Sequence, residues 1–323
     1  MSSFSEIVSP EIAIPELSVV VPCYNEAPNL KTLLDRLRSV LDQIQLTYEI
    51  ICINDGSRDE TLEQLIQHHQ QDDRIKVVNL SRNFGKEIAL TAGIDYSRGQ
   101  AVIPIDADLQ DPPELIATLV EQWQAGYDVV YATRRHRRGE TWLKKFTAYS
   151  FYNLIGRLSP ISIPANTGDF RLMDRRVVEA LKQLPERTRF MKGLFAWVGF
   201  RQTSILFDRA ERYGGQSKWN YWKLWNFALE GITSFSSLPL KIWGYLGLTV
   251  SSFAFAYGSF LLLRTLILGI DVPGYASLMV TLLFLGGIQL IGLGVIGEYL
   301  SRIYEEVKGR PLYLVRDVYG LDK

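Results

Sequence analysis

The sequence predicts an α/β fold with a mostly parallel sheet, followed by two C-terminal transmembrane helices. Three observations predict it. Apolar, β-rich runs alternate with helical repeats from Leu17 to about Tyr131; the ends of those runs are polar and mostly acidic; and two long uncharged runs occupy the last third of the chain. Continuous apolar strands separated by helices belong to a sheet covered on both faces.

Residues 1–16 lack the basic start and apolar core of a signal peptide and read as a flexible tail. LSVVVPCY is the first strand, and Leu30, Leu33, Leu34, Leu37 and Leu41 recur at helical spacing from Pro28 to Leu41. EIICIND is the second strand, with a helix after Asp59. IKVVNL is the third strand, and Lys86 to Tyr96 reads as a helix. AVIPID is the fourth strand, Pro112 to Trp123 a helix, and YDVVYA the fifth strand. Ligands of such sheets sit at the carboxyl ends of the strands. Here those ends read PCYNE, NDGSRD, LSRN and DADLQD.

Beyond the fifth strand, residues 134–145 (RRHRRGETWLKK) are strongly basic and are followed by Phe146, Tyr149, Phe151 and Tyr152. Residues 134–158 and 218–237 are predicted as interfacial segments. In the second, Trp222, Trp225, Leu229 and Ile232 share one helical face, and Lys223, Asn226 and Glu230 another. No charged residue occurs from Ile242 to Leu263 or from Val272 to Gly297. Each run exceeds the roughly 20 residues that cross a hydrocarbon core as a helix, so residues 238–300 are predicted to hold two spans. Lys241 precedes the first run, and Arg302, Lys308, Arg310 and Arg316 follow the second. The positive-inside rule then makes the domain of residues 17–217 and the tail 301–323 cytoplasmic, with both termini on that side.

Composition narrows the function. Apolar residues make up 47% of the chain and the formal net charge is zero, so the overall charge does not point to nucleic acid. The two cysteines, Cys23 and Cys52, lie in apolar runs and read as buried thiols, and the three histidines are scattered, so no zinc site is expected. Asp106 and Asp108 follow the fourth strand within IPIDADLQDP. Two readings are open for such a pair: a cap for the next helix, which Asp111 before Pro112 also fits, or ligation of a hard cation, Mg2+ or Mn2+, completed by substrate phosphates. Neither GxxxxGK[ST] nor GxGxxG after the first strand is present, so a metal–diphosphate site without either loop is the economical reading.

Six motifs in order, Pro22-Cys-Tyr-Asn-Glu26, Asn54-Asp-Gly-Ser-Arg-Asp59, Ser81-Arg-Asn-Phe-Gly85, Asp106-Ala-Asp-Leu-Gln110, Thr167-Gly-Asp-Phe-Arg171 and Arg212-Tyr-Gly-Gly-Gln-Ser-Lys218, resemble the inverting family-two glycosyltransferases. More narrowly, they resemble the dolichyl- and polyprenyl-phosphate sugar transferases. SLPLKIWGYLG (237–247) and the two apolar runs resemble the bactoprenol glucosyltransferase branch, and the likeness covers roughly residues 17–310. It implies a nucleotide-sugar-binding domain of the glycosyltransferase A type. It further implies that Pro22, Tyr24, Glu26 and Asp55 hold the nucleoside, that Asp106, Asp108 and Gln110 bind the metal, and that Arg134, Arg212 and Lys218 meet phosphates. Asp169 falls where the family's proposed catalytic acid sits. Two departures stand out: Asn54 replaces a second Asp of many relatives, and Lys86 replaces a His of several.

The expected reaction is in-line displacement with inversion, moving glucose from UDP-glucose onto polyprenyl phosphate. GDP-mannose, UDP-GlcNAc and UDP-aminoarabinose are the alternative donors. A lipid phosphate is already an anion, so Asp169 is as much an orienting group as a base. Arg134 and Arg135 open the basic run and are expected to attract the acceptor phosphate; a solvated loop that only sets topology is the other reading of that run. Small residues Gly286, Gly287, Gly292, Gly294 and Gly297 predict a homo-oligomer through the second span. A processive synthase would carry a Gln-x-x-Arg-Trp signature, which is absent, and a transporter or a non-enzymatic membrane scaffold would leave the six loops unexplained.

Overall fold

The structure is a computed structural model that describes residues 14–135, 167–184, 186–187, 189–207, 238–268 and 274–321. The basic run beyond Arg135, Arg212, Lys218 and the amphipathic segment 218–237 lie outside the described residues.

Strands β1 (Leu17–Cys23), β2 (Tyr48–Asn54), β3 (Ile75–Leu80), β4 (Ala101–Pro104) and β5 (Val129–Arg134) form where the sequence places them. They alternate with helices α1 (Ala27–Ile44), α2 (Thr61–Gln71), α3 (Lys86–Tyr96) and α4 (Leu115–Gln124). Then follow β6 (Thr167–Asp174), α5 (Arg175–Lys182), α6 (Met191–Trp197), β7 (Gln202–Phe207), α7 (Leu238–Leu268), α8 (Tyr275–Lys308) and β8 (Val315–Tyr319). One eight-stranded sheet runs in the order β7-β5-β6-β4-β1-β2-β3-β8. β1 pairs in parallel with β2 and β4, and β6 and β8 pair antiparallel with their neighbours.

Alternate residues of the strands feed two cores, as the period of two requires. Val19, Val21, Ile50, Cys52 and Val77 pack with the leucines of α1 and with Ile116 and Leu119 of α4. Ile51, Ile53, Val78 and Leu80 pack on the other face with Ala89 and Ala92 of α3. Gly93 lets α3 lie on β1: a Cβ there would fall 2.1 Å from Val20 Cγ1. Cys23 and Cys52 are buried, unpaired thiols, as expected.

Two expectations need correction. Glu16 is part of the fold rather than of a tail, because its N–H donates to the Thr47 carbonyl at 2.9 Å and its carboxylate accepts from Thr47 N at 2.8 Å. The C-terminal segment is not only a tail either. Its last described stretch is β8, paired with β3 from Val77–Tyr319 to Leu80–Val315. Asn54 Nδ2 donates to Asn79 Oδ1 and Asn79 Nδ2 donates to Asp317 Oδ2, each at 2.8 Å, so a relay of side chains crosses β2, β3 and β8. The departure Asn54 has a role here, since an Asp at 54 has no amide proton to start the relay. Among the described residues one helical stretch, Val280–Lys308, is long and apolar enough to cross a membrane, where two were expected. α7 is a helix of 31 residues.

The chain forms two compact units. The sheet, its helices and the segment from Pro311 onward make one, and α7 and α8 belong to the other. Within the second unit Gly292 of α8 faces α7, because a Cβ there would lie 3.7 Å from Trp243 Cε3.

Removing residues 311–323 therefore strips the sheet of an edge strand and exposes β3. In detergent-solubilised full chain, the truncation is expected to lower the melting temperature and promote aggregation. Asp317→Ala alone is expected to cost about 1 kcal/mol by leaving the Asn79 amide unpaired. Scanning calorimetry checks both, and an unchanged melting point in the truncated chain is the contrary result.

Candidate active site

Parallel pairing brings the ends of β1 to β4 to one edge of the sheet, and the antiparallel β6 starts at that same edge. The first two loops there are knitted together by their own polar groups. Asn25, at φ 54°, accepts from Arg58 N at 2.8 Å and donates its own N–H to Ser57 Oγ at 3.0 Å. Glu26 N–H donates to Thr61 Oγ1 at 2.9 Å, and its carboxylate accepts from Asn29 Nδ2 at 2.7 Å. Pro22 lies in β1 opposite Ile53, and Tyr24 is 39% exposed at the strand end, a ring face open to a planar ligand.

Asp55 is buried, and both its carboxylate oxygens are taken, by Phe84 N at 2.7 Å and Gly85 N at 2.9 Å. Burial raises its pKa, and the two N–H donors oppose that rise. The residue thus clamps the loop after β3 to the loop after β2. Gly56, at φ +63°, has no room for a Cβ, which would meet Asn83 N at 2.5 Å.

The loop after β4 carries the acid pair. Leu109 sits between Asp108 and Gln110 with φ 59°, an uncommon conformation for a branched residue and one often found at functional sites. Gln110 N donates to Asp108 Oδ1 at 3.1 Å, and the Gln110 side chain is buried. Asp106 does not stand alone. The Lys86 ammonium lies 2.7 Å from its Oδ1 and 2.8 Å from its Oδ2, and 2.7 Å from Asp169 Oδ2. Lys86 opens α3 directly after the SRNFG loop, so the ends of β3 and β4 and the start of β6 converge on one cation.

Asp169 is buried, and its Oδ1 has no hydrogen-bond partner among the described residues. Burial by itself would raise its carboxyl, but the charges of Lys86, Lys192 and Arg171 outweigh it and hold the pKa at about 2. Burial likewise opposes charge on Lys86, and the carboxylates of Asp169 and Asp106 overcome it and raise the pKa. Glu87 shows the opposite outcome. Burial, then the negative charge of Asp169, push it up to about 8, and its Oε2 has no hydrogen-bond partner among the described residues. Arg171 is buried, donates from Nη2 to the Gly168 carbonyl at 2.9 Å and stacks 3.9 Å over the Phe195 ring, with burial lowering its pKa to about 10. Arg134 has a buried Nε without a hydrogen-bond partner among the described residues, and its Nη2 would lie 3.4 Å from a Cβ at Gly168. Arg135 follows β5, and its N–H donates to the Phe207 carbonyl at 2.9 Å.

The structure thus joins Asp106 and Asp169 through Lys86 and sets Arg134 beside Gly168. Arg212 and Lys218 lie outside the described residues. No group of three or more His, Cys, Asp or Glu is gathered for an ion among the described residues. The donors that exist are carboxylate and amide oxygens, and Asp106 already receives a cation, the Lys86 ammonium. Such a set fits a hard divalent cation that takes its remaining ligands from phosphate and water. Glu87 and Lys192 escaped the sequence analysis, and Lys86 was marked there only as a departure. Their signal is position: Lys86 and Glu87 start the helix that follows a strand end at the acidic edge.

Residues 18–182 match the family described as glycosyl transferase family 2. The chain is 70% identical over 307 residues to an uncharacterized glycosyltransferase of Synechocystis sp., covering 95% of this chain and 96% of that one. It is 51% identical over 302 residues to the SfII prophage-derived bactoprenol glucosyl transferase of Shigella flexneri, covering 93% and 97%. Among solved structures, glucosyl-3-phosphoglycerate synthase from Mycobacterium tuberculosis is similar at 21% identity and a TM-score of 0.48, covering 68% of this chain and 78% of that one.

Glu87 offers a test of the site's electrostatics. Its folded pKa of about 8 lies above the ordinary glutamate value, so the folded state holds the proton longer than the unfolded chain. Its contribution to stability is present below the unfolded pKa and is lost as pH rises toward 8. Glu87→Gln mimics the protonated acid. The variant is expected to match wild type at pH 5 and to melt higher than wild type at pH 8, as thermal unfolding at the two pH values would reveal. Equal melting points at pH 8 would contradict the electrostatics described.

Proposed function

Because the chain belongs to glycosyl transferase family 2 and is a glycosyltransferase, we propose that it moves glucose from UDP-glucose onto polyprenyl phosphate with inversion. The product is a lipid-linked phosphosugar for later transfer. The observation that carries this reading is the 51% identity, across 93% of the chain, to a bactoprenol glucosyl transferase.

In this reading the Tyr24 ring receives the base, with Pro22, Glu26 and the Asp55-clamped loops shaping the nucleoside pocket. A bound Mg2+ or Mn2+, held by Asp106, Asp108 and Gln110, would neutralise charge growing on the departing diphosphate. Arg212 and Lys218 are assigned to the same diphosphate, and Arg134 and Arg135 to the acceptor phosphate. With its carboxyl held at about 2, Asp169 is ionised at all working pH values and is a weak base. Its part is then to orient the acceptor, whose phosphate is already an anion and attacks without losing a proton. The glucose carbon gains a bond to the lipid phosphate oxygen as its bond to the nucleotide diphosphate breaks on the opposite face.

Two spans belong to this proposal, and chain connectivity supports them. The chain leaves the sheet unit before α7 and returns to it in β8. A single crossing by α8 would strand β8 on the far side from β3. An even number of crossings keeps them together, which makes α7 the second span and leaves the domain and its C-terminal strand on one side, assigned as cytoplasmic. The segments expected to be interfacial, 134–158 and 218–237, would hold the site at headgroup depth. Self-association through α8 is part of the same reading, since Gly286, Gly287, Gly294 and Gly297 have nothing within 4 Å of a Cβ position.

Membranes containing the full chain, offered labelled UDP-glucose, GDP-mannose, UDP-GlcNAc and UDP-aminoarabinose, are expected to pass label into an organic-extractable lipid from UDP-glucose. Label from another donor alone would replace the sugar and keep the reaction class. Asp108→Ala is expected to lower transfer by more than about a hundredfold, the scale of losing a key electrostatic group. Undiminished transfer by a folded Asp108→Ala chain in EDTA would refute the metal assignment.

A further inference from the structure

We propose that Lys86 is the resident cation of this site, exchanged away from Asp106 when a divalent cation and a nucleotide diphosphate bind. The inference deepens the metal reading above and rests on it. The ammonium contacts both carboxylate oxygens of Asp106, at 2.7 and 2.8 Å. A second cation therefore cannot take Asp106 on that side without displacing it, since two positive charges at such range repel strongly.

Three further features suit exchange rather than a fixed strut. The Lys86 side chain is 46% exposed, so it has solvent to move into. It stands at the first position of α3, an eleven-residue helix, where the helix dipole disfavours a cation. Its placement there is held by carboxylates and not by its own helix. It also has a second anchor, Asp169 Oδ2 at 2.7 Å. Leaving Asp106 does not leave the buried Asp169 carboxylate unpaired, so the exchange avoids the cost of an isolated buried charge. The freed N–H needs a new acceptor, and an oxygen of the incoming phosphates is the natural one. Exchange thus couples metal arrival to delivery of a positive group to phosphate.

Manganese binding tests this without reading activity. Free Mn2+ is followed by its paramagnetic resonance signal, in detergent-solubilised full chain without nucleotide. Lys86→Gln removes the competitor and is expected to bind Mn2+ about tenfold tighter than wild type, the scale of one charge-assisted hydrogen bond. General damage to the site would weaken binding instead. Lys86→Arg keeps the competitor and is expected to bind as wild type does. The double variant Lys86→Gln with Asp169→Asn removes both partners of that ion pair together, and is expected to show the same gain should the single variant fold poorly. With UDP present, wild type is expected to approach the affinity of Lys86→Gln. Equal or weaker Mn2+ binding by folded chains carrying Lys86→Gln, alone or with Asp169→Asn, overturns the exchange while the metal reading stands, provided that wild type takes up Mn2+ with UDP. Failure of wild type to take up Mn2+ even with UDP overturns both.

Discussion

Parallel pairing of β1 with β2 and β4 is the constraint from which the rest of the sheet unit follows. Parallel strands cannot be joined by tight turns, so each needs a helical crossover, and each crossover starts from the same edge. That geometry collects PCYNE, NDGSRD, SRNFG and DADLQD into one cluster without any of them being near another in sequence. β6 joins from the opposite direction, and for that reason its first residues, Thr167 to Arg171, arrive at the shared edge. The acids are therefore neighbours because the backbone hydrogen bonds leave them no other place.

Such crowding of like charges has to be balanced, and the balance is local. Asp55 gives both oxygens to backbone N–H groups, while Asp106 and Asp169 share one ammonium. Burial holds the Glu87 carboxyl well above its ordinary range, and its Oε2 has no partner among the described residues. Four carboxyl groups on one edge thus reach three different states through hydrogen bonding, ion pairing and desolvation. A chain with formal net charge zero has a site whose chemistry is decided by which acid each base happens to face.

Much of this was legible in the sequence. Helix α3 begins and ends where its spacing places it, at Lys86 and Tyr96, and the first five strands need shifts of only a few residues. Apolar periodicity reports local burial, and those elements bury themselves against near neighbours. What stayed hidden depends on distant partners. VRDVY is short, carries two charges and looks like any solvated tail, and it becomes a strand only because β3 offers an edge. Lys86 gave no motif signal, since its partners lie 20 residues away at Asp106 and on another strand at Asp169.

The relay from Asn54 through Asn79 to Asp317 joins residues up to 238 positions apart and sets an order on biosynthesis. Ribosomes deliver about 5–20 residues per second, amino terminus first, so β3 emerges long before its edge partner exists. The helices α7 and α8 are made in between, before β8 is free. The nascent domain must wait with an open edge while those two helices are made, and its last backbone ladder closes only after release. Completion of the sheet is thereby a report that α7 and α8 have been made in full, and a chain halted within α8 carries an unfinished β3 edge.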